Sequence, residues 1–254
     1  MPDYNAMELM IVAGARTLTD GSSVVVGTGA PCAAAMLAQR THAPNLVILF
    51  EAGGMGPQLR TAPISVGDSR TFYNAVQATS MNTVMDACSR GCVDYTFLGG
   101  AQIDRYGNLN STCIGDWRRP KVRFPGSGGA NDLASLCRRT IVLTPHDTRR
   151  FVERLDFITT PGYLTGRGTR EAAGLPAATG PYRVITNLAV LGYDDSCRMK
   201  VLSIHEGHTR EEVVENTGFD LLFADDVKTT EMPTAEALRV LREQVDPSAI
   251  ITGR

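Results

Sequence analysis

Apolar positions along the chain alternate between short unbroken runs and stretches at helical spacing. Ser23-Val24-Val25-Val26, Leu46-Val47-Ile48-Leu49-Phe50, Tyr95-Thr96-Phe97-Leu98 and Thr140-Ile141-Val142-Leu143-Thr144 read as short strands. Between them, residues 5–19 carry Met7, Leu9, Met10, Ile11, Val12, Ala13 and Leu18 at loosely helical spacing. An alanine-rich helix is expected from Cys32 to about Arg40, and a mostly buried helix over 72–90. Strands separated by helices predict an α/β fold: an open, mostly parallel sheet with helices on both faces, Rossmann-related in its layering. Arg183 to Tyr193 and Met199 to Ile204 add two strands that read as a pair. Thr209 and Glu212 form a capping box at a short helix, and Thr234 to Val245 is a closing amphipathic helix stopped by Pro247. With no internal repeat, low-complexity linker or charge block, residues 1–254 read as a single domain.

One run stands out. Leu46 to Phe50 has the look of a strand buried on both faces, and it ends on Glu51 followed by Ala52, Gly53, Gly54 and Gly56. Ligands in open α/β sheets gather outside the carboxyl ends of strands, so this carboxylate stands where chemistry usually sits, beside a backbone stripped for close approach. The alternative is a glutamate that caps or salt-bridges a strand end.

Three further stretches repeat this grammar. Gly27-Thr28-Gly29-Ala30-Pro31 joins a strand to a helix, with proline near the first helical position; it serves either tight packing or an anion at the helix start. The third glycine of a dinucleotide fingerprint is absent, as is an acidic residue at ribose spacing. Asp104 to Thr112, following Gly99-Gly100-Ala101-Gln102-Ile103, is dense in turn formers and is compatible with a plain surface hairpin. Gly126-Ser127-Gly128-Gly129-Ala130-Asn131 follows Pro120 to Pro125; it exposes backbone N–H groups as an oxyanion or phosphate nest does, or else is a flexible loop. The loop from Pro57 to Thr71 is long for a strand–helix connection and suits a pocket wall or partner surface.

Composition narrows the classes. A charged fraction of 20% and a net charge of −2 give no electrostatic footprint for nucleic acid or an anionic membrane. Hydrophobic content of 43% supports a sizeable core, and no apolar run is long enough to span a bilayer. The first residues lack the basic-then-apolar order of a signal peptide, which points to a cytoplasmic protein. Six cysteines are too sparse for a disulfide scaffold, and Cys88 and Cys92 read as buried free thiols rather than half a metal site. His205 and His208 read as surface residues, and no metal site is expected.

Taken together, Phe50-Glu51-Ala52-Gly53, Gly99 to Asp104, Tyr106 to Thr112 and Gly126 to Asn131 occur in an order and at separations that resemble one family. It is the β (B) subunit of the family I CoA-transferases, most similar to the glutaconate CoA-transferase branch. Gly27-Thr28-Gly29, Ser65-Val66-Gly67-Asp68 and Glu215 to Asp220 fit the same branch, so the resemblance spans roughly residues 5–250.

The resemblance implies that Glu51 is the nucleophile. The family often has Glu-Ser-Gly or Glu-Asn-Gly there, whereas Ala52 removes that polar neighbour. It further implies oxyanion or CoA-binding roles for Gly53, Gly54, Gly128, Gly129 and Ala130, and substrate contacts at Gly27, Thr28, Gly29, Gln102 and Asn108. No cofactor would be bound permanently; a coenzyme A thioester would be substrate, with a free carboxylic acid as acceptor. The partner would be a CoA-transferase α subunit, in an α2β2 or larger hetero-oligomer, with no nucleic acid or membrane involved. Alternatives on the same fold are a steroid-type ring-opening CoA-thioester hydrolase and a glutaconyl-type CoA decarboxylase, relatives without the matching glutamate. A non-catalytic CoA-binding subunit is the remaining alternative.

Overall fold

The computed structural model describes residues 3–253. By their contacts they divide into two compact units: one runs to Phe97 and resumes at Met232, and the other spans Leu98–Glu231.

The first unit opens with α1 (Ala6–Arg16), whose start is fixed by a reciprocal cap: the Glu8 N–H donates to Asn5 Oδ1 and the Asn5 N–H to Glu8 Oε2. Glu8 is fully buried, and its carboxylate accepts two 2.8 Å bonds from the Arg242 guanidinium. Next come β1 (Ser23–Val25), α2 (Ala30–Arg40), β2 (Val47–Leu49), β3 (Gly54–Met55) and β4 (Gln77–Ala78). They are followed by α3 (Met81–Ser89) and β5 (Tyr95–Leu98). β1 lies between β5 and β2, parallel to both, while β3 and β4 extend the edge antiparallel. Residues 32–38 of α2 are all buried, and α1 packs against this helix. The run of small residues allows that burial on every side, where a long polar side chain would be left without water.

The second unit contains the hairpins β6 (Gln102–Ile103) with β7 (Leu109–Asn110) and β8 (Cys113–Ile114) with β9 (Val122–Arg123). Then follow α4 (Ala130–Leu136), β10 (Arg139–Leu143), α5 (Thr169–Ala172), β11 (Pro181–Ile185), β12 (Ala189–Tyr193), β13 (Met199–Ile204), α6 (Arg210–Glu215) and β14 (Leu222–Thr229). β10 runs parallel to β11, β11–β12–β13 is antiparallel, and β13 is parallel to β14. Arg170 is buried, with its guanidinium donating to the carbonyls of Ala134, Ser135, Pro161 and Gly162. These fixed dipoles replace water around the cation and tie the end of α4 to the 161–180 loop. The chain closes in the first unit with α7 (Ala235–Val240), which continues as a wider π-type turn to Val245.

The α/β class and most strand positions match the sequence reading, and several local expectations do not. The helix expected over 72–90 is confined to Met81–Ser89, because β4 forms instead and pairs with β3. Tertiary pairing outweighs the helical periodicity of that stretch. The strand expected over 183–193 splits into β11 and β12 around Thr186, whose hydroxyl accepts the Leu188 and Ala189 N–H groups. His205 is buried rather than on the surface, one ring nitrogen bonded to Thr230 Oγ1 and the other to the Thr186 carbonyl, each at 2.8 Å. Cys88 is buried as expected, but Cys92 is exposed. Among the described residues, no helix is long and apolar enough to cross a membrane.

Candidate active site

Glu51 sits in the short loop between β2 and β3. The Gly53 N–H closes a β-turn onto the Phe50 carbonyl at 2.9 Å, and the Phe50 N–H donates to the Gly54 carbonyl at 2.9 Å. Gly53 adopts φ +119°, a conformation costly for any other residue, as so short a hairpin loop requires. A Cβ on Gly53 would lie 2.1 Å from the Thr79 carbonyl oxygen, and one on Gly54 would lie 2.0 Å from that of Thr71. Both glycines are therefore packed under neighbouring backbone. The Gly53 amide is consumed by the turn, so it does not serve as the free oxyanion donor expected from the sequence.

The Glu51 side chain is half-buried and makes no hydrogen bond or ion pair with any described residue. Its strand is less enclosed than the five apolar residues suggest. Ile48, Leu49 and Phe50 are buried, but Val47 is 41% exposed. Beside it, the Val26 N–H donates to the Leu49 carbonyl at 3.1 Å, so β1 and β2 end side by side. Gly27, Thr28 and Gly29 leave from that same edge as half-exposed loop residues. Thr28 and Gly29 line a cavity of about 440 Å³ within this unit, together with Thr61, Ile64, Arg70 and Ile251. Arg70 is held by Asp68 at 2.6 Å, and that bond keeps the Asp68 carboxyl well below the usual carboxylate range. The sequence reading anticipated a pocket wall in the 57–71 loop; it missed the contribution of the C-terminal segment around Ile251, which only the fold brings there.

In the second unit the expected polar contacts are placed differently. Gln102 is buried; its Nε2 donates to Asp156 at 2.9 Å and its Oε1 accepts from Asn110 Nδ2 at 2.7 Å and the Asp156 N–H at 3.1 Å. Asn108 is 1% exposed, donating to Asp104 and the Leu164 carbonyl and accepting from the Gly162 and Leu164 N–H groups. Both amides are spent on internal hydrogen bonds, because partners from residues 156–164 pack onto them. Asp104 is pushed up by burial, and the Asn108 side chain opposes that shift.

Of the glycine-rich loop before α4, the Ala130 N–H is taken by the Ser127 carbonyl at 3.0 Å. The Gly128 and Gly129 N–H groups have no acceptor among the described residues. Gly128 is exposed and Gly129 half-exposed.

The family model for coenzyme A transferases matches residues 7–216. The chain belongs to the coenzyme A transferase family. Within this family, it is 39% identical over 244 residues to the β (B) subunit of the 3-oxoadipate CoA-transferase of Pseudomonas knackmussii, covering 95% of this chain and 94% of that one. It is 38% identical to the β (B) subunit of the glutaconate CoA-transferase of Acidaminococcus fermentans, covering 96% and 94%. The crystal structure of glutaconate coenzyme A-transferase from that organism superposes with a TM-score of 0.93 over 98% of each chain, at 36% identity. A cholesterol ring-cleaving hydrolase subunit of Mycobacterium tuberculosis is more distant, at 26% identity over 96% of this chain and 95% of that one.

Proposed function

We propose that this chain is the β (B) subunit of a cytoplasmic, heteromeric CoA-transferase. It moves coenzyme A between an acyl-CoA, dicarboxylic or otherwise polar, and a free carboxylic acid, with Glu51 as the nucleophile. The observation that carries the reading is the Glu51 turn: a carboxylate with no internal partner, presented at the carboxyl end of parallel strands on a backbone that glycine locks in place. Transferase subunits stand at 38% and 39% identity, against 26% for the hydrolase subunit, which favours transfer over hydrolysis.

The chemistry uses one carboxylate twice. Glu51 attacks the thioester carbonyl, the C–S bond breaks, and an acyl-glutamyl anhydride and CoA thiolate result. The thiolate attacks the glutamyl carbonyl of the anhydride, releasing the first acid as its carboxylate and leaving a glutamyl-CoA thioester. The second acid's carboxylate repeats the two steps in reverse, restoring Glu51 and forming the new acyl-CoA. No proton or electron is gained overall, so the cycle needs no resident cofactor.

Gly128 and Gly129, whose N–H groups are free within their own unit, are proposed as oxyanion or CoA-binding residues. One such donor is worth about 3–4 kcal/mol in comparable sites. Ala130, whose N–H is already engaged, is left out of that role, and Gly53 and Gly54 are assigned to holding the turn. The α partner completes the enzyme in an α2β2 or larger assembly, so this chain alone is expected to be inactive.

The test is intact mass spectrometry of this chain, co-purified with its α partner and incubated with a panel of acyl-CoAs without acceptor. A CoA-sized adduct that disappears in Glu51→Gln, with the complex still assembled, is the expected result. Free acid or carbon dioxide accumulating without any adduct would overturn the proposal in favour of a hydrolase or decarboxylase.

A further inference from the structure

The hairpin β8–β9 carries a feature that the chain-wide charge conceals. Its tip, residues 115–121, is closed by the Lys121 N–H donating to the Ile114 carbonyl at 2.8 Å. Asp116 shapes the turn by accepting the Arg118 and Arg119 N–H groups at 2.7 and 3.2 Å. Trp117, the single tryptophan of the chain, projects there 55% exposed. Around it stand Arg118, Arg119, Lys121 and Arg123, all exposed and none in an ion pair with a described residue. The Arg123 guanidinium lies 5.9 Å from the Trp117 ring centroid and donates to the Trp117 carbonyl at 2.7 Å.

Four unpaired cations within seven residues contrast with a net charge of −2 for the whole protein. Like charges crowded at one tip repel, and an exposed indole leaves apolar area in water, so the bare hairpin is costly unless something covers it. The occupant that offsets both terms has several phosphates and a flat aromatic ring. Bases stack on aromatic side chains for about 1–3 kcal/mol each, and guanidinium groups bind phosphate bidentately.

Below the tip, the Phe124 N–H donates to the Thr112 carbonyl and the Gly126 N–H to the Ser111 carbonyl, so the hairpin leads straight into the Gly128 and Gly129 amides. Four residues lie between Arg123 and Gly128, about 18 Å of chain at most. An extended ligand with a thioester at one end and a phosphorylated nucleotide at the other would follow that path.

Resting on the proposed CoA-transferase reading, we infer that the Trp117 hairpin binds the 3′-phospho-ADP end of coenzyme A. The adenine stacks on Trp117, and the phosphates are held by Arg118, Arg119, Lys121 and Arg123.

Because Trp117 is the sole tryptophan, its emission in the full-length chain reports the site without any turnover. Coenzyme A is expected to change that emission saturably, with a midpoint that rises with salt. Dephospho-CoA should bind more weakly, and pantetheine should leave the emission unchanged. In the assembled complex, Trp117→Ala and the double change Arg118→Ser with Arg119→Ser should lower the ratio of kcat/KM for acyl-CoA over acyl-pantetheine roughly tenfold. CoA binding at Trp117 in a complex that transfers nothing would support this inference while sinking the transferase reading. Normal transfer with no emission change and an unaltered ratio would overturn the inference and leave that reading standing. Equal losses for both substrates, or variants that no longer co-purify with the α partner, would also overturn it, the latter marking the hairpin as a partner surface.

Discussion

The loop at Glu51 and the hairpin from Gly99 to Asn110 are written in the same letters, and they do opposite things. Each follows a strand whose last residues are buried, turns on glycines and carries polar side chains within a few residues of the strand end. At the first, both glycines fit beneath neighbouring carbonyls and the glutamate is left with nothing to bond. At the second, the amides of Gln102, Asn108 and Asn110 are matched by one another and by carboxylates, carbonyls and N–H groups from residues 104–164. A polar group whose bonding capacity is consumed holds the fold; one whose capacity is unspent is available to a substrate.

The contrast breaks first, and by the largest margin, at Glu51. Glu51→Gln keeps the shape and removes the proposed nucleophile, so transfer in the assembled complex should fall by at least about a thousandfold. The melting temperature should stay close to that of the parent chain. A variant that unfolds would show that the carboxylate is structural after all.

Asn108→Ala should do the reverse. It deletes a buried amide with four partners and leaves two N–H groups and two acceptors unmatched, a loss of about 3–5 kcal/mol in urea unfolding. Transfer per folded molecule should change little, and a selective effect on KM would return Asn108 to the substrate.

A third test uses acid. Burial pushes the His146 imidazole down to about 4, from an ordinary value of 6.5, and His205 is lowered by burial as well. Between those two values the unfolded chain binds a proton at His146 that the native chain refuses. The stability present above pH 6.5 is therefore lost as pH falls toward 4, by about 3 kcal/mol from His146 alone. Urea midpoints at pH 7.5 and 4.5 measure the loss, and His146→Gln should flatten it; an unchanged slope would mean that the histidine is protonated in the fold.

The smallest effect is expected at Ala52→Ser, which restores the polar neighbour common in the family. It should leave stability within about 0.5 kcal/mol and alter kcat/KM less than tenfold, read across a panel of acyl-CoAs.

How much of this was legible in the sequence follows from range. The strand runs, the Gly27 and Glu51 turns and the start of the Thr209 helix are set by neighbours a few positions away; the Thr209 hydroxyl does accept the Glu212 N–H. The burial of His205 depends on Thr186 and Thr230, and the placement of Gln102 depends on Asp156. Those partners lie 19 to 54 positions away, beyond any local pattern. The Trp117 hairpin was hidden differently: a net charge summed over the chain averages away a cluster of seven residues. Helical spacing over 72–90 misled because the stretch before α3 is claimed by pairing with β3, and Asn74 takes φ +48°, outside any right-handed helix.

The seating of Gly53 and Gly54 has a consequence for how this enzyme can diversify. With the Thr79 and Thr71 carbonyls 2.1 and 2.0 Å from where side chains would begin, neither position tolerates variation, and the Glu51 turn is inherited unchanged or lost. Variation that leaves the turn intact is instead open to the lining of the cavity in the same unit, where Thr28, Ile64 and Ile251 are not fully buried and a substitution costs the scaffold little.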